Sequence, residues 1–135
     1  MAADFLDSNV LIYAFTTDGR AAVAQALLQT RPVISVQVLN EFANVARRKL
    51  GMDWREVGAA ISDVRVLCPT VLALDLATHD EALRIAERHG YSIFDAQVVA
   101  SALQAGSDTL WSEDMHDGMV IDSRLRISNP FRTGS

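Results

Sequence analysis

Four acidic positions in this sequence sit where they can do chemistry. Asp7 directly follows the apolar pair Phe5-Leu6, and Asp114 closes the run Ser112-Glu113-Asp114 after Thr109-Leu110-Trp111. Asp95 lies in Ile93-Phe94-Asp95-Ala96, and Glu41 stands beside Phe42. If the two apolar runs are strands, Asp7 and Asp114 lie just past their carboxyl ends, where open parallel sheets bind ligands. Carboxylates gathered on one edge repel one another, and a divalent cation removes that penalty. Oxygen-only ligands favour Mg²⁺, or Mn²⁺, over zinc. Such an ion activates water and stabilises the charge that develops in phosphodiester cleavage.

Each acid also has a plain structural reading. Asp7 can N-cap a following helix, Asp95 can satisfy a helix dipole, and Asp114 can be a solvated loop acid. Gln37, Glu41, Asn44 and Arg48 follow at steps of four, three and four, one polar stripe on a helix. Val38 and Val45 place Glu41 in a semi-buried setting, against the alternative of a solvated helix face.

The elements that must position these acids alternate. A strand at Phe5-Leu6 precedes a helix from Ser8 to about Phe15, and Thr16-Thr17-Asp18-Gly19 is a turn. A second helix, Arg20 to Gln29, ends before Pro32, and Val33-Ile34-Ser35 is a second strand. The third helix runs from Val36 to Leu50 and stops at Gly51. Asp53 and Glu56 have capping-box spacing and open a fourth helix with the stripe Trp54, Val57, Ile61, Val64. Trp54 on that stripe reads as core rather than as a base-stacking platform. Val66-Leu67-Cys68 reads as a third strand, closed by Pro69. A fifth helix starts between Asp75 and Thr78 and ends at His89-Gly90; a sixth starts at Ser92 or Phe94 and ends at Gly106. Thr109-Leu110-Trp111 is a strand, and Met119-Val120-Ile121 and Leu125-Arg126-Ile127 are short tail strands. This order predicts one α/β domain over 1–135: a central parallel sheet with helices on both faces, and a disordered tail in the last few residues.

Composition bounds the rest. The chain has 135 residues, 50% hydrophobic and 21% charged, with a net charge of −5. It is a folded domain, and not a generic basic nucleic-acid coat protein. One cysteine, Cys68, excludes an intrachain disulfide and multi-cysteine metal sites. Met1-Ala2-Ala3-Asp4 has no signal-peptide character, and no apolar run approaches membrane-span length. A cytoplasmic protein without membrane partners is expected. His79, His89 and His116 are scattered and read as surface residues. Arg47-Arg48-Lys49 fits a helix C-terminus, with contact to RNA phosphates as the functional alternative.

A resemblance enters at these motifs. Phe5-Leu6-Asp7-Ser8-Asn9-Val10-Leu11-Ile12-Tyr13-Ala14, Glu41-Phe42, Phe94-Asp95-Ala96, Leu110-Trp111-Ser112-Glu113-Asp114 and Asn129-Pro130-Phe131 resemble, in order, a PIN-domain ribonuclease, and most of all the VapC-type toxins of type II toxin–antitoxin pairs. The resemblance implies a metal-dependent endoribonuclease in which Asp7, Glu41, Asp95 and Asp114 surround Mg²⁺ or Mn²⁺. Asp7 and Asp95 would be the leading ligands, and Asn9 and Ser112 polar support. Asp117, three residues after Asp114, is either an extra acid or a solvated turn acid. An RNA substrate (transfer or ribosomal RNA being open), a cognate antitoxin protein and a homodimer are also implied.

Two other classes compete. A receiver-like Mg²⁺-binding signalling module has similar size and acidity. However, such a module resembles a chain with paired acids after its first strand and a late lysine; here Ser8 follows Asp7, and Lys49 is the only lysine. An RNA-binding toxin that blocks without cutting is the third reading. Metal-dependent RNA cleavage, set against acetyl-phosphate labelling, separates them.

Overall fold

The computed structural model describes residues 3–132. The tail expected at the last few residues, Gly134-Ser135 included, lies outside the described residues. The chain runs β1 (Phe5–Leu6), α1 (Ser8–Tyr13), α2 (Ala21–Leu28), β2 (Ile34–Ser35), α3 (Val36–Arg48), α4 (Trp54–Leu67), β3 (Val71–Leu72), α5 (Leu76–His89), α6 (Ile93–Gln104), β4 (Thr109–Trp111), β5 (Val120–Ile121) and β6 (Leu125–Ser128).

Side chains of the expected types start α3, α4, α5 and α6. Ser35 accepts from the Val38 N–H and opens α3 directly from β2. Asp53 and Glu56 form a complete capping box at α4, with bonds of 2.8 and 3.0 Å. Asp75, rather than Thr78, caps α5, and Ser92 caps α6. Gly90 ends α5 with φ 75°, a left-handed conformation that glycine adopts without strain.

The main sheet has the order β1-β4-β6-β5. β1–β4 and β4–β6 are parallel, while β5–β6 is an antiparallel hairpin, so the sheet is mostly rather than wholly parallel. The hairpin turns through Asp122 and Ser123, both at positive φ, as right-handed strand twist favours in tight turns. β2 and β3 pair in parallel, and a bridge from Phe5 to Val33 joins this pair to β1. Among the described residues six helices accompany the sheet. α5 and α6 pack closely together, while α1 packs on α2 and α3, and α3 on α4.

Two expectations are corrected. Val66 and Leu67 complete α4, Cys68 is its C-cap, and the third strand begins only at Val71. The run has helical as well as strand periodicity: Val64 and Cys68, four apart, are both fully buried, while Val66 is 71% exposed. Pro69 then holds Cys68 out of the helical region and ends the helix. Trp54, expected in the core, is 67% exposed, with the Arg47 guanidinium 5.0 Å from its ring centroid. At the first helical position its ring lies beyond the buried stripe of Val57, Ala60 and Val64.

The core centres on Phe5, Leu6, Leu11, Ile34, Phe42, Ile85, Leu110 and Ile127, all fully buried. α6 is buried almost continuously from Val98 to Leu103. Its small residues let it lie against α5 and touch β2 and β4. That brings the start of α6, with Asp95, toward the strand ends.

Candidate active site

Sheet register places the first acid. Leu6 pairs with Trp111, so Asp7 and Ser112 leave β1 and β4 side by side. The Asp7 N–H donates to the Trp111 carbonyl at 3.0 Å. Asp7 then does what an N-cap does: its Oδ1 accepts from the Ser8 N–H at 2.7 Å. Its second oxygen is held separately. The fully buried Ser112 hydroxyl donates to Oδ2 at 2.8 Å, and Asn9 Nδ2 approaches it at 3.4 Å. Asn9 also donates to Ser112 Oγ at 3.2 Å and accepts from the Glu113 N–H at 3.1 Å. Asn9 and Ser112 thus hold the Asp7 carboxylate in place.

The remaining acids arrive from other elements. Glu41 projects from α3, and the Ser8 hydroxyl donates to its Oε1 at 3.4 Å. Asp95 stands in the first turn of α6, its N–H bonded to Ser92 Oγ at 3.1 Å. Asp114 follows β4 and is exposed.

Electrostatics show that these groups sense one another. Burial pushes the Asp7 carboxyl from its ordinary 3.8 up to about 7; donation from Ser112 and the Ser8 N–H opposes this, and the charges of Glu41 and Asp95 add to it. Burial also raises Glu41, with Asp95 adding repulsion while Gln37 and Ser8 pull the other way. Burial raises Asp95, with Asp114 adding repulsion and Ser92 opposing. The four acids therefore form one mutually repelling chain. Among the described residues, none of them has an ion-pair partner.

That donor set suits a hard divalent cation: every candidate ligand is oxygen, and among the described residues no ion pair relieves the repulsion. As the side chains stand, no group of three or more Asp, Glu, His or Cys among the described residues is drawn in tightly enough to hold an ion. An ion would therefore have to draw the carboxylates inward.

Asp117 does not join the four. It accepts from the Asn129 N–H at 2.6 Å and from Arg132 at 2.9 Å, so it ties down the C-terminal turn. Asn129 in turn accepts from the Phe131 N–H, and Phe131 packs edge-on against Tyr13 with ring centroids 5.0 Å apart. The Asn129-Pro130-Phe131 motif therefore braces α1 beside Asp7.

Several neighbours escaped the sequence reading. Glu113 accepts from the Tyr13 hydroxyl at 2.9 Å and lies 3.5 Å from Arg20, whose guanidinium also donates to Tyr13 at 2.8 Å. This trio anchors the loop that carries Asp114. The position of Glu113 between Ser112 and Asp114 was its only signal. In the sequence Ser8 is the start of the first helix and part of the opening motif, with nothing to mark it as a donor to Glu41. Gln37 was seen as one member of a polar stripe, not as a group that donates from its buried side chain to the Phe94 carbonyl at 2.9 Å.

Comparison with known proteins agrees with this architecture. No curated protein sequence matches the chain. Among solved structures, it is similar to that of Mycobacterium tuberculosis VapC20, described as a sarcin–ricin loop cleaving toxin. The TM-score is 0.68 at 23% identity, over 83% of this chain and 90% of that one. At that identity the likeness speaks for the fold. The PIN-domain family model matches residues 5–116, from β1 through Asp114. The strand-end acids and the helix-borne acids all fall inside that match, with only β5 and β6 of the main sheet beyond it, and the chain belongs to the PIN-domain family.

Proposed function

We propose that this protein is a metal-dependent endoribonuclease, the toxin of a toxin–antitoxin pair. The observation that carries the reading is the chain of four carboxylates with no ion pair among the described residues, led by an Asp7 that burial and the charges of Glu41 and Asp95 push up to about 7. Family membership and the fold shared with a structure described as an RNA-loop-cleaving toxin support it.

Asp7, Glu41, Asp95 and Asp114 would hold the ion, Asp7 and Asp95 as the leading ligands. PIN-domain nucleases generally use divalent metal; Mg²⁺ is the assignment here, with Mn²⁺ able to replace it. When bound, the ion supplies an activated water and stabilises charge on the cleaved phosphodiester. The protein's own part is orientation. Ser112 and the Ser8 N–H fix both oxygens of Asp7 and favour its charged form. Asn9 couples that carboxylate to the Glu113 backbone and so to the Asp114 loop. Ser8 steadies Glu41.

RNA is the substrate, and one carrying a sarcin–ricin loop is the first to try. A cognate antitoxin and a homodimer complete the assembly. Among the described residues no helix is long and apolar enough to cross a membrane, and we assign a cytoplasmic site of action. The purified protein should cut RNA with Mg²⁺ or Mn²⁺ and stop with EDTA. RNA binding without cleavage would support the blocking toxin instead, and acetyl-phosphate labelling of Asp7 the receiver-like module.

A further inference from the structure

Glu41 borders a pocket that the nuclease reading leaves unexplained. It measures about 370 Å³ and is lined by four carboxamides, Gln37, Asn40, Asn44 and Gln97, together with Leu74 and Phe94. Gln37, Asn40, Glu41 and Asn44 share one face of α3, at positions i, i+3, i+4 and i+7. Phe94 and Gln97 come from the first turns of α6, and Leu74 from the segment between β3 and α5.

Its chemistry excludes several occupants. No Lys or Arg lines it, so it is not built for phosphate. Glu41 is its one carboxylate, too few for a separate cation site. A purely apolar side chain would leave the buried Gln37 oxygen without a partner. Gln37 is 6% exposed, its amide nitrogen donates to the Phe94 carbonyl, and its buried Oε1 has no partner. Gln37 lines the pocket, and an occupant that carries a hydrogen-bond donor to it would supply the partner this oxygen lacks. The Phe94 ring, 64% exposed, offers a stacking face at the rim.

A flat, uncharged ring with donors and acceptors on its edge meets all three conditions. Single-stranded RNA is read in this way: splayed bases stack on aromatic side chains and are hydrogen-bonded along their edges. Carboxamides suit the task because each offers a donor and an acceptor together.

We propose that this pocket reads a nucleobase of the RNA, with Gln37 accepting from the base edge and Phe94 stacking on its face. The inference rests on the ribonuclease reading for its ligand class and deepens it: the base taken here belongs to a nucleotide near the bond cut beside Glu41. Gln37 and Phe94 are then specificity residues beside the carboxylates Glu41 and Asp95, not members of that set.

The test is binding without catalysis. In EDTA, fluorescence anisotropy compares the full-length protein with four labelled pentaribonucleotides that differ only in their central base. The wild type is expected to show at least a tenfold spread in affinity. Gln37→Met and Phe94→Ala should each shrink it below threefold. Equal affinity for all four bases in the wild type overturns the proposal, as does a spread that survives in both variants. If Gln37→Met does not fold, Phe94→Ala, whose ring is exposed, decides alone. If the variants weaken only antitoxin binding while the spread persists, the pocket docks protein and the proposal is overturned. Nuclease assays of the same proteins separate the two readings. Base discrimination lost in the variants, with no metal-dependent cutting by the wild type, leaves the pocket standing and removes the nuclease. Cutting with unchanged base preference in the variants does the reverse.

Discussion

Replacing Asp7 with asparagine should stabilise the metal-free protein at alkaline pH and leave it nearly unchanged at acid pH. The folded chain holds a proton on Asp7 more tightly than the unfolded chain does. The residue's contribution is therefore most favourable below pH 3.8 and is lost as pH rises to about 7. That span corresponds to about 4 kcal/mol, at ~1.4 kcal/mol per pH unit. Asparagine removes this cost but keeps an oxygen for the Ser8 N–H. Its amide nitrogen then faces Asn9 Nδ2 and the Ser112 hydroxyl, which now donate to the Asp7 carboxylate. Losing those bonds costs about 1–2 kcal/mol. At pH 8 the variant should therefore gain roughly 2–3 kcal/mol, or about 10 °C in Tm for a chain of this size. At pH 5 the relieved cost is only about 1.6 kcal/mol, and the lost hydrogen bonds cancel it. Thermal melts in EDTA of both proteins, from pH 5 to 8.5, measure the difference directly. A variant that melts at or below the wild type at pH 8, or a gap that does not widen between pH 5 and 7, would refute the electrostatic account of the site.

Further outcomes follow from other contacts. Ser112→Ala removes the 2.8 Å donor to Asp7; it should destabilise the metal-free protein by about 1–3 kcal/mol at pH 8, and by less at pH 5, where Asp7 is protonated. Phe42→Ala empties a fully buried position that packs against Phe15, and denaturant melts should show a loss of about 3–5 kcal/mol. Cys68 is fully buried, and burial pushes its thiol up to about 11, so a thiol reagent at pH 8 should label the native protein far more slowly than the unfolded chain.

The strand-end acids were legible because position along the chain decides them. Once Phe5-Leu6 and Thr109-Leu110-Trp111 are strands, parallel pairing puts Asp7 and Ser112 at a common edge. Helix starts were legible for a similar reason, since Asp53 with Glu56 and Ser92 with Asp95 act within one turn. Where local pattern is ambiguous, the reading failed. Val66-Leu67-Cys68 satisfies a short strand and the last turn of a helix equally, and the packing of Val64 and Cys68 settled it. The antiparallel β5 depends on a tight turn of two non-glycine residues at positive φ, which Asp122-Ser123 announces only weakly. Gln37 looked like one of several polar residues on a stripe. Its burial comes from α6, more than fifty residues later, whose Phe94 carbonyl it meets. Glu113 owes its role to Tyr13 and Arg20, two residues far from it in sequence.

The claim on which everything else depends is that Asp7, Glu41, Asp95 and Asp114 make one cation site. Calorimetric titration of Mn²⁺ into the RNA-free protein at pH 8 tests it most directly, with Asp7→Asn and Asp95→Asn as comparisons and circular dichroism to confirm their folds. Saturable binding by the wild type, weakened at least tenfold in each folded variant, is the expected result. Wild-type binding no tighter than that of the two variants would contradict the account.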